Sequence, residues 1–469
     1  MKKIFTSLFA LAVMTSASAQ MADGARVYAY GLNQTDADNV TLTFKTNVTA
    51  KSANIILSAD GKEDVKVPAT STDGKNWTAV IEPSSEFAAD VTYNWKAEVS
   101  ADAISSAVCV YTKAFNRPSS LSVDKNPASP YFGNVYVSEN VGYTNGTTST
   151  GIYAGDASIS EMNVHAIENI VGDGSTRSSL PRSMTITSDG KVIVSACDAT
   201  VNGLYSIDPA DFTASEIFAG KKVFGVGAKG NDIYYVEANA DNTGYNISST
   251  NSEFTTIASS IKDYGNFAGH NAIVPLEQGV WVYFSDVNGV DANQLHFVDY
   301  TGEIKWSVGE DNKVGTERGA MAVDEKSGLV AYYSKANGFI LYNYTFDTEG
   351  AITVGEKQVM PNSVISAANG TRSEAMAFDY AGNLYVVSSG AEWLKVIAMP
   401  TDKNTCATPA NEDMTVSFTQ AEIEASGIET IESENVPVEY YNLQGVKVEN
   451  PENGIFIKKQ GRKTTKVIL

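Results

Sequence analysis

The chain has 469 residues, with 34 Lys and Arg against 55 Asp and Glu, a formal net charge of −21. A surface this acidic repels phosphate backbones and anionic membranes, so nucleic acid is excluded as an expected partner. Aromatic residues make up 10 %, and 37 Gly punctuate many short apolar runs. That composition favours strands and tight turns, and the length calls for several domains rather than one small core.

Residues 1–19 read as a signal peptide. Lys2 and Lys3 precede an apolar stretch from Ile4 to Met14, and Ala17-Ser18-Ala19 supplies the small residues of a cleavage site. Cleavage after Ala19 leaves Gln20 first and, by removing two lysines and no acid, moves the charge from −21 to −23. The apolar stretch is too short to remain as an anchor, no Cys follows the cleavage site for lipidation, and no later segment reads as transmembrane. The expected location is secreted or on the outer cell surface. Cys109, Cys197 and Cys406 are far apart and odd in number, which is neither a disulfide framework nor metal-ligand spacing. They are expected as small buried apolar residues, with at most one bridge.

Residues 20–117 read as a β-sandwich. Val40-Thr-Leu-Thr-Phe44 alternates as a half-buried strand should, and Ala53–Leu57, Trp77–Ile81 and Val91–Trp95 follow at strand-like intervals, with Val108–Tyr111 as the last strand. The pattern resembles immunoglobulin-like or fibronectin-like modules of bacterial surface proteins, which implies a spacer. Trp77 and Trp95 are expected in its core, with carbohydrate binding as the alternative role.

Residues 118–410 carry a degenerate repeat. Met376-Ala-Phe-Asp379 with Ala381-Gly-Asn-Leu-Tyr-Val-Val387 is the clearest copy. Met184-Thr-Ile-Thr187 with Asp189–Val194, and Leu121-Ser-Val-Asp124 with Phe132–Val137, repeat it. Inner strands are expected near Leu121, Met184, Phe224, Ile273, Met321 and Met376, each followed by a Tyr- or Val-rich second strand. Such repetition signals a six-bladed β-propeller, in which closure of the ring buries blade faces and hides long strand edges. The form Asp379 to Val386 resembles the NHL and SMP-30-like six-bladed propellers. The SMP-30 resemblance implies a divalent metal in the channel held by acidic residues and Asn, of which Glu374 and Asn271 are candidate fragments. The Asp286–Asp291 loop offers oxygen ligands for calcium without EF-hand spacing and reads as a polar turn.

Residues 411–435 read as a linker and residues 436–469 as a small C-terminal β-sandwich. From Val436 to Leu469 six Lys or Arg face three Glu. Tyr441-Asn-Leu-Gln-Gly445, Pro451, Gly454-Ile-Phe-Ile457, Gly461 and Lys466-Val-Ile-Leu469 resemble the C-terminal sorting domain of type IX secretion in Bacteroidetes. The resemblance implies the secretion machinery as a partner.

No His-Glu-x-x-His helix, Gly-x-Ser-x-Gly elbow or P-loop occurs, and only His165, His270 and His296 exist, so no catalytic residues are assigned. Loops that lead into the inner strands gather on one face of a propeller. There the chain places Arg182, His270 with Asn271, Arg318, and Arg372 with Glu374. Guanidinium groups converging on a channel mouth suit a carboxylate or sulfate, as on an acidic glycan; the alternative is that each Arg braces its own loop through a local acid. Asp124, Asp324 and Asp379 recur after inner strands and are expected to cap turns. Tyr143 and Trp393 suit either sugar stacking or packing between blades. The expected function is a non-catalytic exported binding protein with a glycan or protein on the channel face. The alternatives are a metal-dependent propeller enzyme acting on sugars (lactonase, hydrolase or lyase, with calcium or another divalent ion) and a structural envelope protein.

Overall fold

The repeats fold into six antiparallel sheets arranged as the blades of a propeller. The structure is a computed structural model and describes residues 21–35, 40–139, 151–165, 167, 181–197, 201–238, 244–250, 256–263, 272–284, 294–308, 320–334, 338–360, 362–365, 375–426, 437–460 and 463–469. The inner strands are Pro118–Val123, Ser183–Ile186, Val223–Lys229, Ala272–Pro275, Met321–Asp324 and Ala375–Phe378, for blades 1 to 6 in that order. Each touches the next, and the last touches the first, so the ring is closed. All six expected starting points fall within them.

Apolar residues of the first three strands of each blade are buried against the neighbouring blade. Trp281 of blade 4 is fully buried, edge-on to Trp306 of its own blade at 5.6 Å and to Tyr344 of blade 5 at 5.4 Å between ring centroids. Between blades 3 and 4 the backbones come so close that a Cβ on Gly227 would lie 2.3 Å from the Ile273 carbonyl oxygen. Only glycine fits there.

Two strand assignments differ from the reading of the sequence. Val108–Ala114, expected to finish the sandwich, pairs instead with Trp393–Ala398 as the fourth strand of blade 6. Alternation identifies a strand but not its partner, and here the partner lies almost at the other end of the ring. The converse holds for Thr405–Pro409 and Thr415–Val416. Both pair with Tyr93–Ser100 in the sandwich sheet that also holds Ser52–Ser58 and Val65–Pro68. The facing sheet is Ala29–Thr35, Val40–Thr46 and Asn76–Ile81. The expected limits of 20–117 for the sandwich and 118–410 for the propeller are therefore corrected: blade 6 borrows a strand from before residue 118, and the sandwich takes back strands from 405 to 416. The expected 411–435 linker starts inside the sandwich for the same reason. Trp77 and Trp95 are buried in the sandwich core, as expected.

Sandwich and ring meet along Ala25–Tyr28, a segment gripped by three side-chain amides. Asn404 accepts from Val27 N at 2.8 Å and donates to Ala25 O at 3.1 Å and to Asp102 O at 2.8 Å. Asn47 accepts from Tyr28 N at 2.8 Å and donates to Arg26 O at 3.0 Å. Asn383, from blade 6, accepts from Arg26 N at 2.8 Å and donates to Arg26 O at 2.9 Å. A carboxamide has the donor and acceptor geometry of a peptide group, so the three side chains satisfy buried backbone that no strand covers. Tyr28, Tyr30, Phe132 and Tyr380 pack around this contact.

Glu439–Tyr441, Lys447–Val448, Ile455–Gln460 and Lys463–Ile468 form a separate four-stranded antiparallel sheet. Residues 1–20, including the expected leader, lie outside the described residues. No helix among the described residues is long and apolar enough to cross a membrane.

The amide clamp predicts a large effect from a small deletion. Asn404→Ala strands two buried backbone groups, Val27 N and Ala25 O, each costing about 1–3 kcal/mol when unsatisfied. Urea unfolding is expected to show a loss of roughly 2–4 kcal/mol after partial relaxation; a loss within error of zero would show that water replaces the amide.

Candidate functional site

The ring encloses a channel of about 680 Å³, lined by all six inner strands and by the loops that follow them. Its wall is built from small side chains because of strand alternation. Met184, Ile273, Met376 and Phe378 are buried between blades. The intervening Thr185, Ala272, Val274, Ala375 and Ala377 are left half-exposed on the channel.

At the mouth where the inner strands end, each of three blades turns on an aspartate. Asp379 accepts from Ala381 N at 3.0 Å and Asn383 N at 2.8 Å through Oδ1, and from Asn383 Nδ2 at 2.7 Å through Oδ2. Asp124 accepts from Asn126 N at 3.1 Å, and Asp324 from Lys326 N at 3.2 Å. The expected capping role is what the structure shows. Burial drives two of these carboxyls upward despite the hydrogen bonds they accept: Asp379 to about 7 and Asp124 to about 6.

Between the caps runs a belt of polar contacts from blade to blade. Asn126 Nδ2 donates to Ser188 O at 3.2 Å, and the Ser188 hydroxyl donates to Asn231 Oδ1 at 2.7 Å. Lys229 pairs with Glu277 at 2.7 Å. Lys326 of blade 5 lies 4.0 Å over the Tyr380 ring of blade 6. Lys125 of blade 1 passes blade 6 and reaches blade 5, pairing with Glu325 at 3.0 Å. These pairs are half-exposed, so each adds little stability; their effect is to fix where charge sits around the mouth. The sequence reading missed these rim residues, although a signal exists: Lys125 and Glu325-Lys326 directly follow the repeating aspartates.

Of the residues singled out from sequence, Arg182 lies at the opposite mouth. Arg182 immediately precedes the inner strand of blade 2 and lines the channel. Its backbone N donates to Ser195 O at 3.0 Å and its Nε to Cys197 O at 3.3 Å. The guanidinium is thus oriented by the second strand of its own blade. His270, Asn271, Arg318, Arg372 and Glu374 lie outside the described residues, as do Tyr143 and the Asp286–Asp291 loop. Trp393 is buried in the apolar cluster between blades 5 and 6, the packing role of the two considered. All three cysteines are free thiols. Among the described residues, no three His, Cys, Asp or Glu side chains gather closely enough to hold a metal ion.

No protein-family model matches the sequence, and no curated protein matches it. Solved structures do. One is a protein of unknown function from Bacteroides thetaiotaomicron VPI-5482, with 11 % identity and TM-score 0.40, covering 81 % of this chain and 100 % of that one. An auxiliary nutrient binding protein from Bacteroides ovatus ATCC 8483 has 10 % identity and TM-score 0.40, covering 77 % and 94 %. A streptogramin B lyase has 12 % identity and TM-score 0.36, covering 61 % and 97 %. None of these likenesses bears on what the channel holds.

The two raised carboxyls set the sign of a pH dependence. An Asp near 3.9 when unfolded and about 7 when folded binds more protons in the folded state. Its contribution is complete below about pH 4 and is lost as pH rises through 7. The melting temperature is expected to fall between pH 5 and pH 8, and Asp379→Asn is expected to flatten that fall. A melting temperature that climbs over the same interval in the parent protein would contradict the assignment.

Proposed function

We propose that this chain is an exported binding protein that holds a small anionic ligand, of the acidic-sugar class, in the propeller channel. The observation that carries the reading is the channel itself. About 680 Å³ lies within the range of small-molecule sites, roughly 300–1,000 Å³, and strands from all six blades wall it. The anionic preference rests on Arg182 at one mouth and on the equivalent sequence positions of Arg318 and Arg372. Export rests on the signal-like residues 1–19 and on the sorting-domain resemblance of residues 436–469.

Calorimetric titration of the mature chain with oligogalacturonate and with a neutral oligosaccharide of the same length tests the reading. The acidic ligand is expected to bind at least about tenfold more tightly, a difference of about 1.4 kcal/mol. Thr185→Trp, which fills the channel from its wall, and Arg182→Lys, which keeps the charge but loses the fork, should both weaken binding. Indifference of the chain to both ligands would leave a structural role in the envelope. Release of a shortened or unsaturated sugar would replace binding by turnover. Separately, deletion of residues 436–469 is expected to abolish surface display, judged by protease accessibility on whole cells.

A further inference from the structure

The C-terminal sheet differs in surface character from the rest of the molecule. Val438, Leu443, Val446, Ile455, Ile468 and Leu469 are all exposed, Ile468 to 79 %. They make up more than half of the large apolar side chains exposed among the described residues. Patches of this kind on a soluble protein mark interaction surfaces. Charge is segregated in the same place. The tail carries six Lys or Arg and three Glu, a net +3, so a chain total of −21 leaves −24 on the remainder. Residues 455–469 include Lys458, Lys459, Arg462, Lys463 and Lys466 and no acidic side chain.

The last strand, Lys463–Ile468, is an edge. Its ladder runs from Gln460↔Lys463 to Ile455↔Ile468, and it has no second strand partner among the described residues. An edge of six residues presents a row of main-chain donors and acceptors to any extended segment of matching register. On one face of this hairpin Ile455, Ile457, Lys466 and Ile468 lie together, because Ile457 pairs with Lys466 and Ile455 with Ile468.

We propose that the Lys463–Ile468 edge is a docking site for an acidic extended segment of another protein, which adds as a fifth strand with a carboxylate opposite Lys466. A second copy of the same edge is disfavoured, because residues 455–469 carry no acid and so offer no carboxylate to Lys466. Broad anionic surfaces are disfavoured by the −24 on the remainder of the chain. A single short strand meets only the edge, and at physiological salt it feels charge within about 8 Å.

The probe is a fluorescent peptide that alternates Glu with Val and matches the length of the edge. A second peptide carries Lys in place of Glu, and the protein is the mature full-length chain. The acidic peptide is expected to bind and to protect main-chain amides of residues 463–468 from exchange. Lys466→Glu, an exposed position that leaves the sheet intact, is expected to weaken binding at least about tenfold, and molar salt to weaken it further. Equal binding of the Lys peptide, or no binding of either at low salt, overturns the proposal. So does a tail-dependent dimer in sedimentation, or binding to anionic vesicles that leaves the 463–468 amides unprotected while the peptide fails to bind.

Discussion

The ladder between Val108–Ala114 and Trp393–Ala398 is the contact on which the channel depends. It joins the chain before the first blade to the third strand of the last, and so reinforces the closure made where Ala375–Phe378 touches Pro118–Val123. Closing a loop of this length costs roughly 5 kcal/mol of chain entropy. The ladder offsets this with its hydrogen bonds and with apolar burial, for Trp393–Ala398 is buried throughout and Val110 and Tyr111 are buried opposite it. Everything said of the channel mouths presupposes this closure, since Lys125 meets Glu325 only when blades 1, 6 and 5 are drawn into one arc.

A buried carboxylate links the ring to the sandwich. Asp379 is fixed by Asn383, and the same Asn383 amide holds the Arg26 backbone. The carboxyl that caps the blade 6 turn therefore orients the group that seats the sandwich. Burial is what raises its pKa, and the next residue, Tyr380, packs on Tyr28 of the sandwich with ring centroids 6.0 Å apart. The capping function, the docking function and the shifted acidity are three consequences of one enclosed side chain.

Much of the ring was legible because its signal is local and repeated. Met376-Ala-Phe-Asp379 announces an inner strand, a cap and a turn within a few residues, and the same pattern locates the other blades. Pairings across long sequence distances were not legible. Val108-Cys-Val-Tyr111 alternates equally well for a sandwich strand and for a closing strand, and nothing within it names Leu394 or Val396 as its neighbours. Asn47, Asn383 and Asn404 were invisible for a related reason: an isolated Asn in a turn-rich chain reads as a turn residue, and its role appears only when three distant ones converge on Ala25–Tyr28. Of the candidate site, Arg182 could be placed at the channel from its position before an inner strand. Its orientation by the Cys197 carbonyl could not, because that depends on how the blade 2 hairpin curls.

The exchange of strands changes what the sandwich is. A spacer would be separable, with its own strands and a linker. Here the ring is closed by a strand that the sandwich hands on, and the sandwich sheet is extended by Thr405–Pro409, which arrives only after the ring is complete. Neither unit holds all of its strands in one continuous stretch, so cutting the chain at residue 117 removes the closing strand of blade 6, and cutting before 405 removes a strand of the sandwich. Pairings of such sequence separation slow folding. The sandwich therefore acts on the channel at one remove, by fixing the loops of blades 1 and 6 on which the Asp124 and Asp379 caps sit.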